Sequence, residues 1–239
     1  MNHKIPPKII ERPELRDRVR VFRSRAHAGE VLAEMLSSYS KTDAMVLAIP
    51  AGGVPVAAAI AEKLRIPFDV AVVSKITPPW NTEAGYGAVA FDKTMRLNED
   101  LVAHLGLTNE QIKEGVAQTT QKVLRRVQGF RGDRPFPDLT KRRVILVDDG
   151  LATGSTMRAA IEALRRQHPA RIVVAVPVAA PSTYDEFRAE VDDIICARTP
   201  EPFYGVGYWY EDFSQTTDNE VHDLLAQVES ERPVAARKQ

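Results

Sequence analysis

Two adjacent carboxylates, Asp148 and Asp149, end an apolar β-branched run, and Thr153, Gly154, Ser155 and Thr156 follow within the stretch VILVDDGLATGSTM, residues 144–157. A carboxylate only accepts hydrogen bonds, so it repels phosphate and holds a pair of neighbouring hydroxyls well. Small polar residues with a glycine at a helix start do the opposite: the free backbone N–H groups and the helix dipole there favour an anion. A ligand that satisfies both halves carries a phosphate and two hydroxyls a few ångströms apart, the layout of ribose 5-phosphate. The plainer alternative is a strand-end turn with a capped helix behind it. The stretch is not a Walker A loop, because GLATGST lacks the required spacing and lysine. Nor is it a dinucleotide fingerprint, where the ribose-binding acid lies about 20 residues past the glycines.

Other groups could serve the same ligand. Ala51, Gly52 and Gly53 in AIPAGGVPV form a strand-to-helix turn, whose glycines suit a tight turn or a close backbone approach. Lys75 ends the run DVAVVSK, as a solvated strand cap or as a cation turned toward the same loops. Residues 198–213, RTPEPFYGVGYWYEDF, concentrate Phe203, Tyr204, Tyr208, Trp209, Tyr210 and Phe213, which suits either core packing or stacking on a flat ligand.

The elements that would position these groups follow from periodicity. Helical spacing covers His27 to Tyr39, with Val31, Leu32, Met35 and Leu36 on one face. AMVLAIP, FDVAVVSKI, RRVILVDD, RIVVAVPV and VDDIICA are predicted strands, alternating with the predicted helices VPVAAAIAEKLRI, TNEQIKEGVAQTTQKVLRRVQGF, STMRAAIEALRRQ and PSTYDEFRAE. Thr108 with Gln111 predicts a capping box before the longest helix. Alternation of this kind predicts an α/β chain with a parallel sheet covered on both faces, and ligands bind beyond the carboxyl ends of such strands. That places PAGG, SKITPP and DDGLATGST around one site. TPPWNTEAGYGAVAFD is expected as an exposed loop, in part a hairpin.

Composition narrows the class. The 239 residues hold 44% hydrophobic and 27% charged residues, with 32 basic and 32 acidic side chains. Balanced charge, without a helix-turn-helix or basic patch, argues against nucleic acid as a partner. There is no secretory leader and no run of about 20 apolar residues, so no membrane partner and a cytoplasmic location are expected. The five histidines lack metal-ligand spacing, and the single cysteine, Cys196, lies in an apolar run where packing is its expected role. The expected organisation is an N-terminal arm over 1–20, a domain over 21–230 and a tail over 231–239.

The stretch 144–157 resembles the signature of the type I phosphoribosyltransferases for phosphoribosyl pyrophosphate (PRPP). The resemblance implies the family's fold: a mostly parallel central sheet with helices on both faces, a flexible loop and a small C-terminal hood, here at about 198–213. It gives Asp148 and Asp149 the ribose hydroxyls and Ala152, Thr153, Gly154, Ser155 and Thr156 the 5-phosphate. Hypoxanthine-guanine enzymes carry an aspartate where Ala152 stands, so the general-base position is empty. Ala51, Gly52 and Gly53 match the pyrophosphate loop, which in similar proteins commonly reads P-R-G-G; Ala51 removes that cation. Lys75 resembles a lysine that touches pyrophosphate in orotate-type enzymes, and Thr77 to Ala90, with Glu83 and Tyr86, matches the loop that closes over PRPP. Tyr204, Asp212 and Arg198 correspond to the acceptor hood. The implied reaction transfers the phosphoribosyl group to a nitrogen of a nucleobase-like acceptor and releases pyrophosphate, with Mg²⁺ bridging substrate oxygens and no dedicated protein metal site. A non-catalytic PRPP or nucleotide sensor and another ribose 5-phosphate chemistry stay open, as does a homodimer, a common state in the family.

Overall fold

The computed structural model describes residues 19–81 and 85–230, so most of the expected arm, the expected tail and Glu83 lie outside the described residues. In chain order the strands are β1 (Met45–Ala48), β2 (Phe68–Val70), β3 (Val73–Ile76), β4 (Gly87–Ala90), β5 (Met95–Leu97), β6 (Arg143–Val147), β7 (Arg171–Val178) and β8 (Asp193–Arg198). The helices are α1 (Arg25–Met35), α2 (Gly53–Leu64), α3 (Glu99–Leu105), α4 (Asn109–Arg131), α5 (Ser155–Arg165), α6 (Pro181–Glu190) and α7 (Asp218–Ser230).

Five strands form a parallel sheet in the order β2-β1-β6-β7-β8. Their near-continuous apolar sequences follow from burial on both faces. Alternate side chains sort into two cores: Val46, Ala48, Ile145, Val147 and Val173 pack with α1, α2 and α7. Met45, Leu47, Val144, Leu146 and Val174 pack with α5 and α6. The Ala-rich α2 is buried along most of its length, at Val54, Val56, Ala57, Ala58, Ile60, Ala61 and Leu64, because it lies on the sheet between α1 and α7. At Gly29 a side chain would meet the Val56 carbonyl at 2.3 Å, so glycine lets α1 and α2 approach.

The Thr108–Gln111 capping box forms, with the Thr108 hydroxyl accepting from the Gln111 N–H and the Gln111 side chain accepting from the Thr108 N–H. At its far end α4 is anchored by Arg131, which donates to Asp69 at 2.8 Å and to the Val70 carbonyl at 2.6 Å. The helix thereby runs past the carboxyl ends of β2 and β1, where the site lies.

Two segments differ from expectation. FDVAVVSKI is not one strand: β2 joins the parallel sheet, and β3 opens a separate antiparallel sheet, β3-β4-β5. An unbroken apolar run carries no periodicity to mark such a change of sheet. The loop expected over Thr77 to Ala90 ends earlier, because Gly87–Ala90 is the buried centre of that second sheet. Tyr86 is 1% exposed, packed beside Gly115 of α4.

Candidate active site

Parallel pairing of β1 and β6 sets the site. Ala48 lies opposite Val147, and the Ile49 N–H donates to the Val147 carbonyl at 2.9 Å, so the loops leaving both strands run side by side. The first loop carries a cis peptide between Pro50 and Ala51 and enters α2 through Gly52 and Gly53. A side chain at Gly52 would meet an Asp149 carboxylate oxygen at 2.2 Å, and one at Gly53 the Val147 carbonyl at 2.7 Å. The two glycines are what allows this contact.

The second loop carries the acids. Asp148 accepts the Asp149 N–H at 2.9 Å. Burial, reinforced by the Asp149 charge, pushes the Asp148 carboxyl well above the ordinary carboxylate range. Burial also raises Asp149, against the pull of Arg25. Lys75, exposed on β3, exerts an opposing positive field on both acids, which sets it on the same side as the pair.

Beyond the acids the loop is tied down by its own backbone. Leu151 pairs with the end of β7, donating to Val178 and accepting from Ala180. The Ala152 carbonyl accepts from the Thr183 hydroxyl at 2.6 Å, and the Thr153 carbonyl from Arg158 at 3.0 Å. Gly154, at φ +73, turns the chain into α5, whose N-cap makes no side-chain hydrogen bond. The first-turn N–H groups of α5 thus have no cap acceptor and suit an anion. The Thr153 and Ser155 hydroxyls lie 3.2 Å apart at this mouth.

Two residues that sequence reasoning did not single out complete the arrangement. Arg25, at the start of α1, donates through Nε to Asp149 Oδ2 at 2.8 Å and through a terminal nitrogen to the Ser214 carbonyl at 2.6 Å. Its guanidinium stacks 3.9 Å from the centre of the Phe213 ring. Tyr210, buried, donates its hydroxyl to the Asp149 carbonyl at 2.7 Å. Neither carries a local motif; the aromatic richness of 198–213 was the only signal, and it suited core packing or ligand stacking without pointing to the acid loop.

The 198–213 segment is seated on that loop. A 3-10 turn over Val206–Trp209 lies against Gly150, where an added side chain would meet Val206 at 2.5 Å. Backbone bonds stitch it to the chain before α1, from Phe22 to Trp209 and from Glu211 to Phe22. The three residues matched to an acceptor hood have different neighbours. Tyr204 is 68% exposed and rests against Tyr208, Arg198 lies over the Trp209 ring at 5.1 Å, and Asp212 accepts from the Ser214 N–H at 2.9 Å.

An acid pair, an uncapped helix start and a glycine turn thus converge at the carboxyl edge of a parallel α/β sheet, the edge at which such sheets bind ligands. The family model described as "Phosphoribosyl transferase domain" matches residues 22–208, and the chain belongs to that family. It is similar to "Putative phosphoribosyl transferase Rv0571c" of Mycobacterium tuberculosis H37Rv, at 36% identity over 87% of this chain and 47% of the relative. The chain therefore spans about half the length of the curated relatives it matches. Among solved structures, TT1426 from Thermus thermophilus aligns at 34% identity with a TM-score of 0.71, covering 86% of this chain and 98% of that one.

Proposed function

We propose that the chain binds PRPP at the β1/β6 edge and transfers its phosphoribosyl group to a nitrogen of a nucleobase or related heterocycle, releasing pyrophosphate. The observation that carries this reading is the convergence of Asp148 and Asp149, the Gly52–Gly53 turn and the uncapped start of α5. Asp148 and Asp149 accept the two ribose hydroxyls, and the Thr153–Thr156 turn receives the 5-phosphate. The 22–208 match supports a domain over 21–230.

In the transfer, the acceptor nitrogen forms a bond to C1 of the ribose as the bond from C1 to the pyrophosphate oxygen breaks, with inversion. Negative charge develops on the departing pyrophosphate. The backbone N–H groups of Ala51 and Gly52 and the Lys75 ammonium stabilise it without reorganising. Mg²⁺, which keeps several of its waters and favours phosphate oxygens, would be held largely by the substrate rather than by a protein cage. When bound there, Mg²⁺ neutralises charge on the leaving group.

A second reading, a PRPP sensor without turnover, is favoured by Ala51, which puts no cation in the pyrophosphate turn. Incubation with PRPP, Mg²⁺ and a panel of bases, followed by pyrophosphate assay and mass spectrometry, separates the two. A new nucleotide supports transfer and names the acceptor. PRPP binding with no pyrophosphate above the water background overturns transfer in favour of the sensor.

A further inference from the structure

The turn over Ile49, Pro50, Ala51, Gly52 and Gly53 has no charged side chain, yet a pyrophosphate held there needs counter-charge. A cleft of about 760 Å³ is lined by Ala51 and by the face of α4 that carries Lys122, Arg125 and Arg126. These three positions stand at i, i+3 and i+4, so they share one face of the helix. The other walls come from residues 215–218 and His222.

Arg126 is committed to structure. It donates to Asp218 at 2.7 Å, reaches the Pro50 carbonyl at 3.5 Å and lies 5.2 Å from the Phe130 ring centre. It thereby sets the register of α4 against the cis-peptide turn and neutralises Asp218, the acid in the cleft lining. Lys122 and Arg125 are exposed into the cleft and make no ion pair among the described residues. Two unpaired cations in a concavity focus a positive field on whatever enters it. A polyphosphate meets this geometry well, because several oxygens can take the lysine as a point charge and the arginine in a bidentate pair.

We propose that Lys122 and Arg125 form a polyphosphate-binding wall facing the Pro50–Gly53 turn, which holds the pyrophosphate arm of the donor and supplies the charge that Ala51 does not. The assignment of that arm rests on the donor reading given above. The wall itself stands on the cleft and its cations.

The test is calorimetry on the intact chain in Mg²⁺, with inorganic pyrophosphate, PRPP and ribose 5-phosphate as separate probes. Lys122→Ala/Arg125→Ala is expected to weaken pyrophosphate and PRPP about tenfold and to leave ribose 5-phosphate unchanged. Charge reversal at both positions abolishes pyrophosphate binding, while Lys113→Ala, on the same helix outside the cleft, changes nothing. Unchanged pyrophosphate affinity in the double variant, or no saturable pyrophosphate binding by the wild type, overturns the proposal. The donor reading fails separately, if ribose 5-phosphate does not bind or binds equally after Asp149→Ala. Pyrophosphate binding that depends on Lys122 and Arg125 without ribose 5-phosphate binding upholds the wall and overturns only the donor reading. Both side chains are exposed, so an unchanged Tm of the double variant confirms that the loss is local.

Discussion

Arg25 Nε donates to Asp149 Oδ2 across 2.8 Å, with the two side chains only 11% and 16% exposed. The pair joins the first residue of α1 to an acid loop that lies 124 positions later. The same guanidinium is sandwiched by the Ser214 carbonyl and the Phe213 ring, so it braces the acid loop and the aromatic segment together.

Removing the brace is expected to weaken donor binding through the acid rather than by direct contact. Arg25 holds the Asp149 carboxyl down against its burial. Arg25→Ala lets that pKa climb further, so the pH below which donor affinity falls moves upward. The chain also loses about 2 kcal/mol for a part-buried carboxylate left alone. Calorimetry with ribose 5-phosphate across a pH series, on wild type and variant, reads the shift, and Arg25→Lys should recover part of it. An unmoved profile would show that Arg25 serves packing alone.

Asp148 should trade stability for binding. Its carboxyl is raised by burial and by the neighbouring charge, so the folded chain holds that proton more tightly than the unfolded chain does. Stability therefore falls as pH rises from the ordinary carboxylate range through the raised value, and the deficit persists above it. Asp148→Asn keeps an oxygen for the Asp149 N–H and removes the buried charge. The expected outcome is a higher Tm than wild type at neutral pH, convergence of the two at acid pH, and loss of donor binding.

Gly52→Ala tests the close approach of the two loops. Its backbone, at φ −60 and ψ −35, accepts alanine, so the effect is steric alone. The added methyl meets the Asp149 carboxylate at 2.2 Å, and Arg25 prevents that carboxylate from yielding. A destabilisation of about 1–3 kcal/mol and loss of donor binding are expected. In chemical denaturation the double variant with Arg25→Ala should lose less than the sum of the singles, because the freed carboxylate can move aside.

Tyr210→Phe keeps the packing of a buried ring and deletes one donor. The Asp149 carbonyl then loses its partner at 2.7 Å, at a cost of about 1 kcal/mol of unfolding free energy, read by urea denaturation. Donor affinity should fall less than in Arg25→Ala, since the carboxylate itself keeps its partner. An equal loss would mean that the hydroxyl orients the whole acid loop.

Much of the site was legible in sequence because it is contiguous. Asp148, Asp149 and the Thr153–Thr156 turn are consecutive along one strand–loop–helix unit, where apolar periodicity, acid placement and a positive-φ glycine all act locally. The capping box on α4 was legible for the same reason. Arg25 and Tyr210 were not, since each reaches Asp149 only through the parallel β1/β6 pairing and the strap of backbone bonds at Phe22. FDVAVVSKI misled because a run buried in either sheet presents the same unbroken apolar surface. The buried β4 misled in the opposite sense, as Gly87, the preceding Gly85 and the polar residues before them suggest a turn while cross-strand bonds on both sides hold it inside.

Sequence by itself determined the layered α/β class, the acid pair beside a glycine turn at a helix start and the family those residues belong to, because each rests on neighbours along the chain. Tertiary structure alone decided that Arg25 braces Asp149, that Tyr210 supports its backbone and that Ala51 shares one cleft with Lys122 and Arg125 of α4. Those contacts join segments far apart in sequence, and only the packing of helices and loops at one sheet edge brings their charges together.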